Sequence, residues 1–275
     1  MNPLILFLVI GLVSAQHTDF HEDTEGIIGG EPAEVGKFPH HVFIRYDADP
    51  VGGRTMYKIC GGSLISTNHV LTAAHCVHKN KEGWIMVGSV NKWNYQEGQW
   101  RRIQGSSVHH AYNSVTLLND IAILKIEPIA LNENVKLIQI PRNDDALIGD
   151  STDARISGFG AVGYNGQSTV NTQVLRWNTV KIYNSQICQS TGWLQGRVTE
   201  NQICGGGFKL GVAHGDSGSA VIVERNSKYF QVGVVSYVYM NYNIIPYYQN
   251  LYPSVFIRAS KYCDWIYQNS GVLCV

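Results

Sequence analysis

The chain has 275 residues and carries 21 Lys and Arg against 21 Asp and Glu, so its formal net charge is zero. This balance excludes the basic excess that binding to nucleic acid or an anionic membrane requires, and we expect neither partner. Charged residues make up 15% and hydrophobic residues 44% of the chain, which excludes an intrinsically disordered protein.

The first 26 residues have the pattern of a leader. An apolar run at residues 4–13 is followed by Ser14 and Ala15, the small-residue pattern of a signal-peptide cleavage site, and is too short to span a bilayer. The alternative, a buried N-terminal strand, fits less well because nothing polar alternates within the run. Residues 16–26 are polar and acidic. We therefore predict a signal peptide at 1–15, a propeptide at 16–26 and a secreted, extracellular protein.

Short β-type runs follow, separated by turns rich in Gly, Asn and Asp. Their length and spacing predict an antiparallel barrel or sandwich rather than alternating strands and helices. A connection near residues 143–151 divides the folded unit, 27–275, into two halves of ordinary domain size. The clearest runs are HVFI at 41–44, WIMV at 84–87, IAIL at 121–124, AVIV at 220–223 and VGVV at 232–235.

Only the C-terminal segment has the pattern of a helix. Residues 259–268 contain neither Gly nor Pro, Ser260 is a candidate cap, and Gly271 follows as a stop signal. The predicted fold class is therefore all-β with one C-terminal helix.

The six cysteines indicate three disulfide bonds in an exported chain, although six allow about 15 pairings. A zinc site is not indicated because no Cys-x-x-Cys pair occurs. The His40-His41 and His109-His110 pairs are more typical of exposed residues than of ligands. Loop 88–100 has a single acidic side chain, so a calcium site is not indicated. We assign no metal and no cofactor.

Three short motifs contain the groups that acyl transfer needs: LTAAHC at 71–76, NDIA at 119–122 and GDSGS at 215–219. Separately, each is more typical of a packed residue or a turn. Together they supply a serine hydroxyl, an imidazole that can take its proton, and a carboxylate that orients the imidazole. A glycine beside the serine lets backbone N–H groups face the oxyanion of the intermediate.

With these motifs the chain resembles the trypsin/chymotrypsin-type serine proteases over about residues 27–268. The resemblance implies two six-stranded antiparallel β-barrels packed together, with a C-terminal helix. It also implies a serine endopeptidase made as a zymogen, which hydrolyses peptide bonds through an acyl-enzyme. Further matches, in the family's order, are IIGG at 27–30, CGGSLI at 60–65, SGFG at 157–160, VVSY at 234–237 and PSVF at 253–256.

The resemblance assigns catalytic roles to individual residues. Ser217 is the implied nucleophile, His75 the general base and then acid, and Asp120 the group that orients His75. The backbone N–H groups of Gly215 and Ser217 would form the oxyanion hole. Ser236 stands where the family supports the buried aspartate.

The resemblance also implies a substrate edge and a primary specificity pocket. Gly211 at the base of the pocket has no charge, so cleavage after Arg or Lys is not indicated. Val238 stands where a glycine usually admits large side chains, which predicts an elastase-like preference for small aliphatic residues. Alternatively, the wall of the pocket differs in shape from that of the family, and these positions do not determine the specificity. The implied substrate-binding residues are Gly211, Val212, Ser236, Tyr237, Val238 and Ser254.

Two family disulfides correspond to cysteines of this chain, and the two cysteines left over are expected to pair with each other. The family's bridge beside the pocket is missing, because Ala213 stands where its first cysteine would be. The expected pairs are Cys60–Cys76, Cys188–Cys204 and Cys263–Cys274.

In this family, activation of the zymogen frees the α-ammonium group of a new N-terminal residue. The resemblance implies that this residue is Ile27 and that its ammonium group pairs with Asp216. The residue before Ile27 is Gly26, and no Lys or Arg precedes Lys37, so a trypsin-like activator cannot make the cut. Another activating protease or self-cleavage is the expected route. The other implied partners are protein or peptide substrates and protein protease inhibitors, and we expect a monomer.

The main alternative is a catalytically impaired homologue that acts as a binding or regulatory protein. Departures from the family pattern favour it: the missing disulfide, Phe159 in place of the family's Trp, and the residues Ser219 and Tyr237. The presence of all three catalytic side chains and Gly215 argues against it. An α/β-hydrolase is excluded by the order of the triad and because residue 219 is Ser rather than the last Gly of Gly-x-Ser-x-Gly.

Overall fold

The computed structural model describes residues 27–51, 54–78, 81–164, 169–241 and 243–275. The predicted signal peptide and propeptide lie outside these residues. Within them, no helix is both long and apolar enough to cross a membrane.

Strands make up most of the regular structure, and the helical segments are short. The α-helices are α1 (Ser185–Ser190) and α2 (Cys263–Ser270), and 3₁₀ turns lie at Ala74–Cys76, Gly192–Leu194 and Ala259–Tyr262. The strands are β1 (Glu31–Pro32), β2 (His41–Val51), β3 (Arg54–Ser66), β4 (His69–Thr72), β5 (Gly83–Val87), β6 (Gln99–Val108), β7 (Ala122–Ile126), β8 (Thr152–Gly158), β9 (Ala161–Tyr164), β10 (Thr169–Asn171), β11 (Arg176–Tyr183), β12 (Gln202–Gly206), β13 (Ala220–Arg225), β14 (Lys228–Tyr237) and β15 (Ser254–Arg258).

The first barrel is closed by six antiparallel strands in the order β2-β3-β4-β7-β6-β5, with β5 paired back to β2. Alternate side chains of these strands point inward and exclude water, which stabilises the closed sheet. Its interior contains the fully buried side chains of Ile44, Leu64, Val70, Ile85 and Leu124, which the strand register places on one face.

The second barrel is also closed by six antiparallel strands, in the order β8-β11-β12-β15-β14-β13, with β13 paired back to β8. Strand β1 adds to its edge at β11, and β9 and β10 form a separate hairpin. The polypeptide leaves the first barrel at Ile126 and enters the second at Thr152. The predicted class, all-β with two six-stranded antiparallel barrels, is confirmed.

The helices differ from the prediction in two ways. Ser260 does not cap the C-terminal helix, because it lies inside the 3₁₀ turn Ala259–Tyr262 and α2 begins only at Cys263. Gly271 does end α2, in the left-handed conformation with φ +72°. Helix α1 was not predicted, since its six residues are too few to show a helical period. The side chain of Asn184 caps α1 by accepting from the N–H of Ile187.

The prediction that His40 and His41 are exposed is wrong. Their exposed fractions are 4% and 6%, because β2 faces β8 of the other barrel. His41 Nδ1 lies 3.0 Å from Ser157 Oγ, and its ring packs 5.6 Å from that of Phe159. Burial lowers the pKa of His41 from 6.5 to about 3 and that of His40 to about 4. Both imidazoles are therefore neutral where the barrels meet.

Replacing His41 with Gln is expected to reduce the loss of stability in acid. A histidine whose pKa is lowered by folding stabilises the protein above its unfolded pKa of 6.5, and this contribution is lost as the pH falls toward about 3. Gln does not titrate and can still contact Ser157. Urea unfolding at neutral pH and at about pH 4.5 measures the difference. An equal loss of stability in both proteins would contradict this account.

Candidate active site

His75 and Asp120 lie side by side at one end of the first barrel. His75 is in the 3₁₀ turn that follows β4, Asp120 precedes β7, and these strands pair with Thr72 opposite Ala122. His75 Nδ1 is 2.7 Å from Asp120 Oδ2, and the His75 backbone N–H donates to Oδ1 at 2.8 Å. The Asp120 side chain is fully buried, while that of His75 is 24% exposed.

The second barrel completes the environment of Asp120. The hydroxyl of Ser236, on β14, donates to Asp120 Oδ2 at 2.6 Å. An ionised carboxylate only accepts hydrogen bonds, so Nδ1 of His75 carries the ring proton. In the neutral imidazole, Nε2 is then the nitrogen with the lone pair that can accept a proton.

Ser217 is held against the first barrel by its own backbone. Its carbonyl oxygen accepts from the N–H of Gly61 at 2.8 Å and lies 3.5 Å from Cys76 Sγ. Gly218 has φ +85°, and a Cβ there would lie 2.1 Å from Thr72 Oγ1, so only glycine permits this approach. The Ser217 hydroxyl is not hydrogen-bonded to His75 in this structure, and catalytic hydrogen bonds are often long in ligand-free enzymes.

The loop before Ser217 folds around the carboxylate of Asp216, which is fully buried. Oδ1 accepts from the N–H of Gly160 and Oδ2 from the N–H of Ala213, both at 2.9 Å. Burial raises the pKa of Asp216 from 3.8 to about 7. The backbone N–H groups of Gly215 and Ser217 donate no hydrogen bond to any residue that the structure describes.

Lys92 is a buried cation beside this loop that the sequence analysis did not identify. It is 3% exposed, and its Nζ donates to the carbonyl of Phe159 at 3.0 Å. Burial lowers the pKa of Lys92 to about 8, against the opposing effect of the Asp216 charge. The structure does not join Ile27 to Asp216 by a hydrogen bond: Ile27 is fully buried, and its nitrogen is part of the Gly26–Ile27 peptide bond.

The predicted pocket residues come from three segments of the second barrel. Ser254 Oγ donates to the side-chain oxygen of Gln249 at 2.6 Å, and Gln249 Nε2 donates to the carbonyl of Val212 at 2.8 Å. The sequence analysis did not identify Gln249, since nothing in its local sequence marks a buried contact. The buried members are Gly211, Val212, Ser236 and Ser254, and the half-buried ones are Tyr237 and Val238.

All six cysteines are in disulfide bonds, in the pairs that the resemblance implied. The first pair joins β3 to the turn that contains His75. The pairs are Cys60–Cys76, Cys188–Cys204 and Cys263–Cys274.

Comparisons with known proteins identify the family of this chain. The family model described as Trypsin matches residues 27–266. Chymotrypsin-C of Mus musculus is 34% identical over 247 residues, which cover 87% of each chain. Chymotrypsin-like elastase family member 1 of Macaca fascicularis is 31% identical over 272 residues, which cover 97% of each chain. The chain therefore belongs to the trypsin family and is a serine endopeptidase, a hydrolase of peptide bonds.

Proposed function

We propose that Ser217, His75 and Asp120 are the catalytic triad of this endopeptidase. The observation that carries the proposal is the buried Asp120 carboxylate, which accepts from His75 Nδ1 at 2.7 Å and from Ser236 at 2.6 Å. This arrangement fixes the tautomer of His75 with Nε2 as the base. Asp120 also stabilises the imidazolium that forms when His75 takes a proton.

The proposed reaction uses these groups in turn. Ser217 Oγ attacks the carbonyl carbon of the scissile peptide while its proton passes to His75 Nε2. The backbone N–H groups of Gly215 and Ser217 stabilise the oxyanion. His75 then gives its proton to the leaving amine. In the second half of the reaction, His75 takes a proton from the water that attacks the acyl-enzyme and returns a proton to Ser217 Oγ.

The substrate is held as an added strand. Residues 236–238 lie at the end of β14, past Val234, where pairing with β13 stops, so their backbone groups on that side can pair with an extended peptide. Protein protease inhibitors that present such a strand would bind in the same place. These contacts fix the scissile bond relative to Ser217.

The proposal includes secretion of the enzyme as an inactive precursor. Three disulfide bonds support export, since such bonds persist mainly outside the reducing cytosol. The acidic stretch at residues 16–26 separates the apolar leader from Ile27. Cleavage before Ile27 would give an ammonium group that can pair with the buried Asp216.

Cleavage after small aliphatic residues is expected, because the pocket base at Gly211 is neutral and Val238 narrows its entrance. A panel of peptide p-nitroanilides that differ only in the residue before the scissile bond measures this. We expect kcat/KM for Ala and Val to exceed that for Phe, Lys and Arg by at least about tenfold. Preference for Arg, Lys or Phe would contradict the proposed specificity without affecting the proposed triad.

A catalytically impaired homologue is the second candidate, and a specific observation favours it. The hydroxyl of Ser219 is fully buried and has no hydrogen-bond partner among the described residues, directly beside the Ser217 loop. Such a group destabilises the loop that presents the nucleophile. A matured protein that hydrolyses no peptide would support this alternative.

A further inference from the structure

The side chain of Gln249 packs against Gly211, the position implied as the base of the specificity pocket, and is 1% exposed. Its Nε2 donates to the carbonyl oxygens of Val212, at 2.8 Å, and Ile245, at 3.3 Å. Its Oε1 accepts from Ser254 Oγ at 2.6 Å. Both N–H groups are used by backbone carbonyls, so the amide is fixed in one orientation.

Gln249 occupies the space that a side chain at position 211 would need. A Cβ on Gly211 would lie 2.0 Å from Gln249 Oε1 and 2.2 Å from its Cδ, distances that atoms cannot adopt. Position 211 must therefore be glycine as long as Gln249 keeps this conformation. The group at the pocket base comes from residue 249 and not from residue 211.

Gln249 also joins the two walls of the pocket. One wall is the segment with Val212, which leads to Ala213 and the Ser217 loop, and the other begins with Ser254 on β15. The described residues contain no disulfide between these walls. Two hydrogen bonds of one buried amide hold them instead, from Nε2 to the Val212 carbonyl and from the Ser254 hydroxyl to Oε1.

We propose that Gln249 is a specificity-determining residue: it forms the floor of the primary pocket and ties its walls together. This inference rests on the proposed function, because that proposal locates the pocket. The Gln249 amide is neutral and its N–H groups are already hydrogen-bonded, so it presents no negative charge to a Lys or Arg side chain of the substrate. Its volume also shortens the pocket, so that peptides with small aliphatic residues before the scissile bond are the substrate class that fits.

Two variants distinguish the two roles of Gln249, filling the base of the pocket and hydrogen-bonding its walls. Gln249→Ala removes both the volume and the hydrogen bonds, whereas Gln249→Met keeps a side chain of similar length and removes only the hydrogen bonds. Both are prepared as the matured enzyme, and active sites are counted with an organophosphonate. The p-nitroanilide panel then gives the ratio of kcat/KM for Phe to that for Ala.

We expect Gln249→Ala to raise the Phe to Ala ratio at least about tenfold over the wild type, because each methylene admitted to a pocket changes selectivity by this order. Gln249→Met should keep the ratio within about threefold and lower the melting temperature, since hydrogen bonds are lost but not volume. An unchanged ratio in Gln249→Ala would overturn the inference, whatever residue the wild type prefers. A wild type that prefers Phe or Arg would count against the proposed specificity instead.

A third variant keeps the test decisive if Gln249→Ala yields no titratable enzyme. Gly211→Ala should displace the Gln249 amide and change the ratio or abolish titratable sites. If Gly211→Ala has the wild-type melting temperature and the wild-type ratio, Gln249 does not fill this space and the inference fails.

Discussion

Replacing Ser217 with Ala is expected to lower kcat/KM for peptide hydrolysis by about four orders of magnitude or more. The variant keeps the His75–Asp120 pair but has no hydroxyl to attack the substrate, so no acyl-enzyme can form. The loss should appear in kcat, while KM changes little, because Ala occupies the same backbone position. A fluorogenic peptide assay on the matured protein measures both constants.

Ser219 provides a matched control two residues away. Its hydroxyl is buried and makes no hydrogen bond with the described residues, so Ser219→Ala removes a polar atom without removing a contact. We expect this variant to keep kcat/KM within about threefold of the wild type and to be equally or more stable. If Ser217→Ala retained more than about a tenth of the activity, Ser217 would not be the nucleophile.

The second large effect concerns maturation. The uncut precursor should be about a hundred- to five-thousand-fold less active than the protein cut before Ile27, since breaking a buried ion pair costs about 3–5 kcal/mol. In the uncut chain, burial raises the pKa of Asp216 to about 7, so its ionised form is disfavoured. A new ammonium group at Ile27 would stabilise the carboxylate and the loop that carries Gly215 and Ser217. Activity of the cut protein should fall at alkaline pH, where the amine loses its proton.

This prediction is tested by replacing residues 22–26 with the recognition sequence of a site-specific protease, so that the cut is made on demand. Activity is measured on one preparation before and after the cut. Asp216→Asn, cut in the same way, is the control and should stay near the rate of the precursor. Equal activity before and after the cut would contradict the proposed pair. A Ser217→Ala precursor that is still processed when incubated alone would exclude self-cleavage.

The sequence predicted the parts of the fold and site that depend on neighbouring residues. The five β-type runs lie in β2, β5, β7, β13 and β14, with only Ile121 just outside a strand. The grouping of His75, Asp120 and Ser236 was expected from the family resemblance alone, since their contacts join segments 45 and 116 residues apart. The family resemblance supplied the closure into two barrels, which no local pattern specifies.

Contacts between distant segments that no family motif covers could not be predicted. His41 and Ser157 are 116 residues apart, and only the packing of β2 on β8 buries the imidazole that the sequence analysis expected to be exposed. Lys92 donates to a carbonyl 67 residues away, and Gln249 to one 37 residues away. A Lys or Gln in a polar loop is usually solvated, so composition gives no sign that either is buried.

The most direct test of the triad is covalent labelling of the matured protein with an organophosphonate, followed by mass spectrometry of its peptides. The account predicts one adduct per chain on Ser217, and its loss when His75 is replaced by Ala, because the hydroxyl reacts only when the imidazole takes its proton. Folded, matured protein that forms no adduct, or forms it on another serine, would contradict the account.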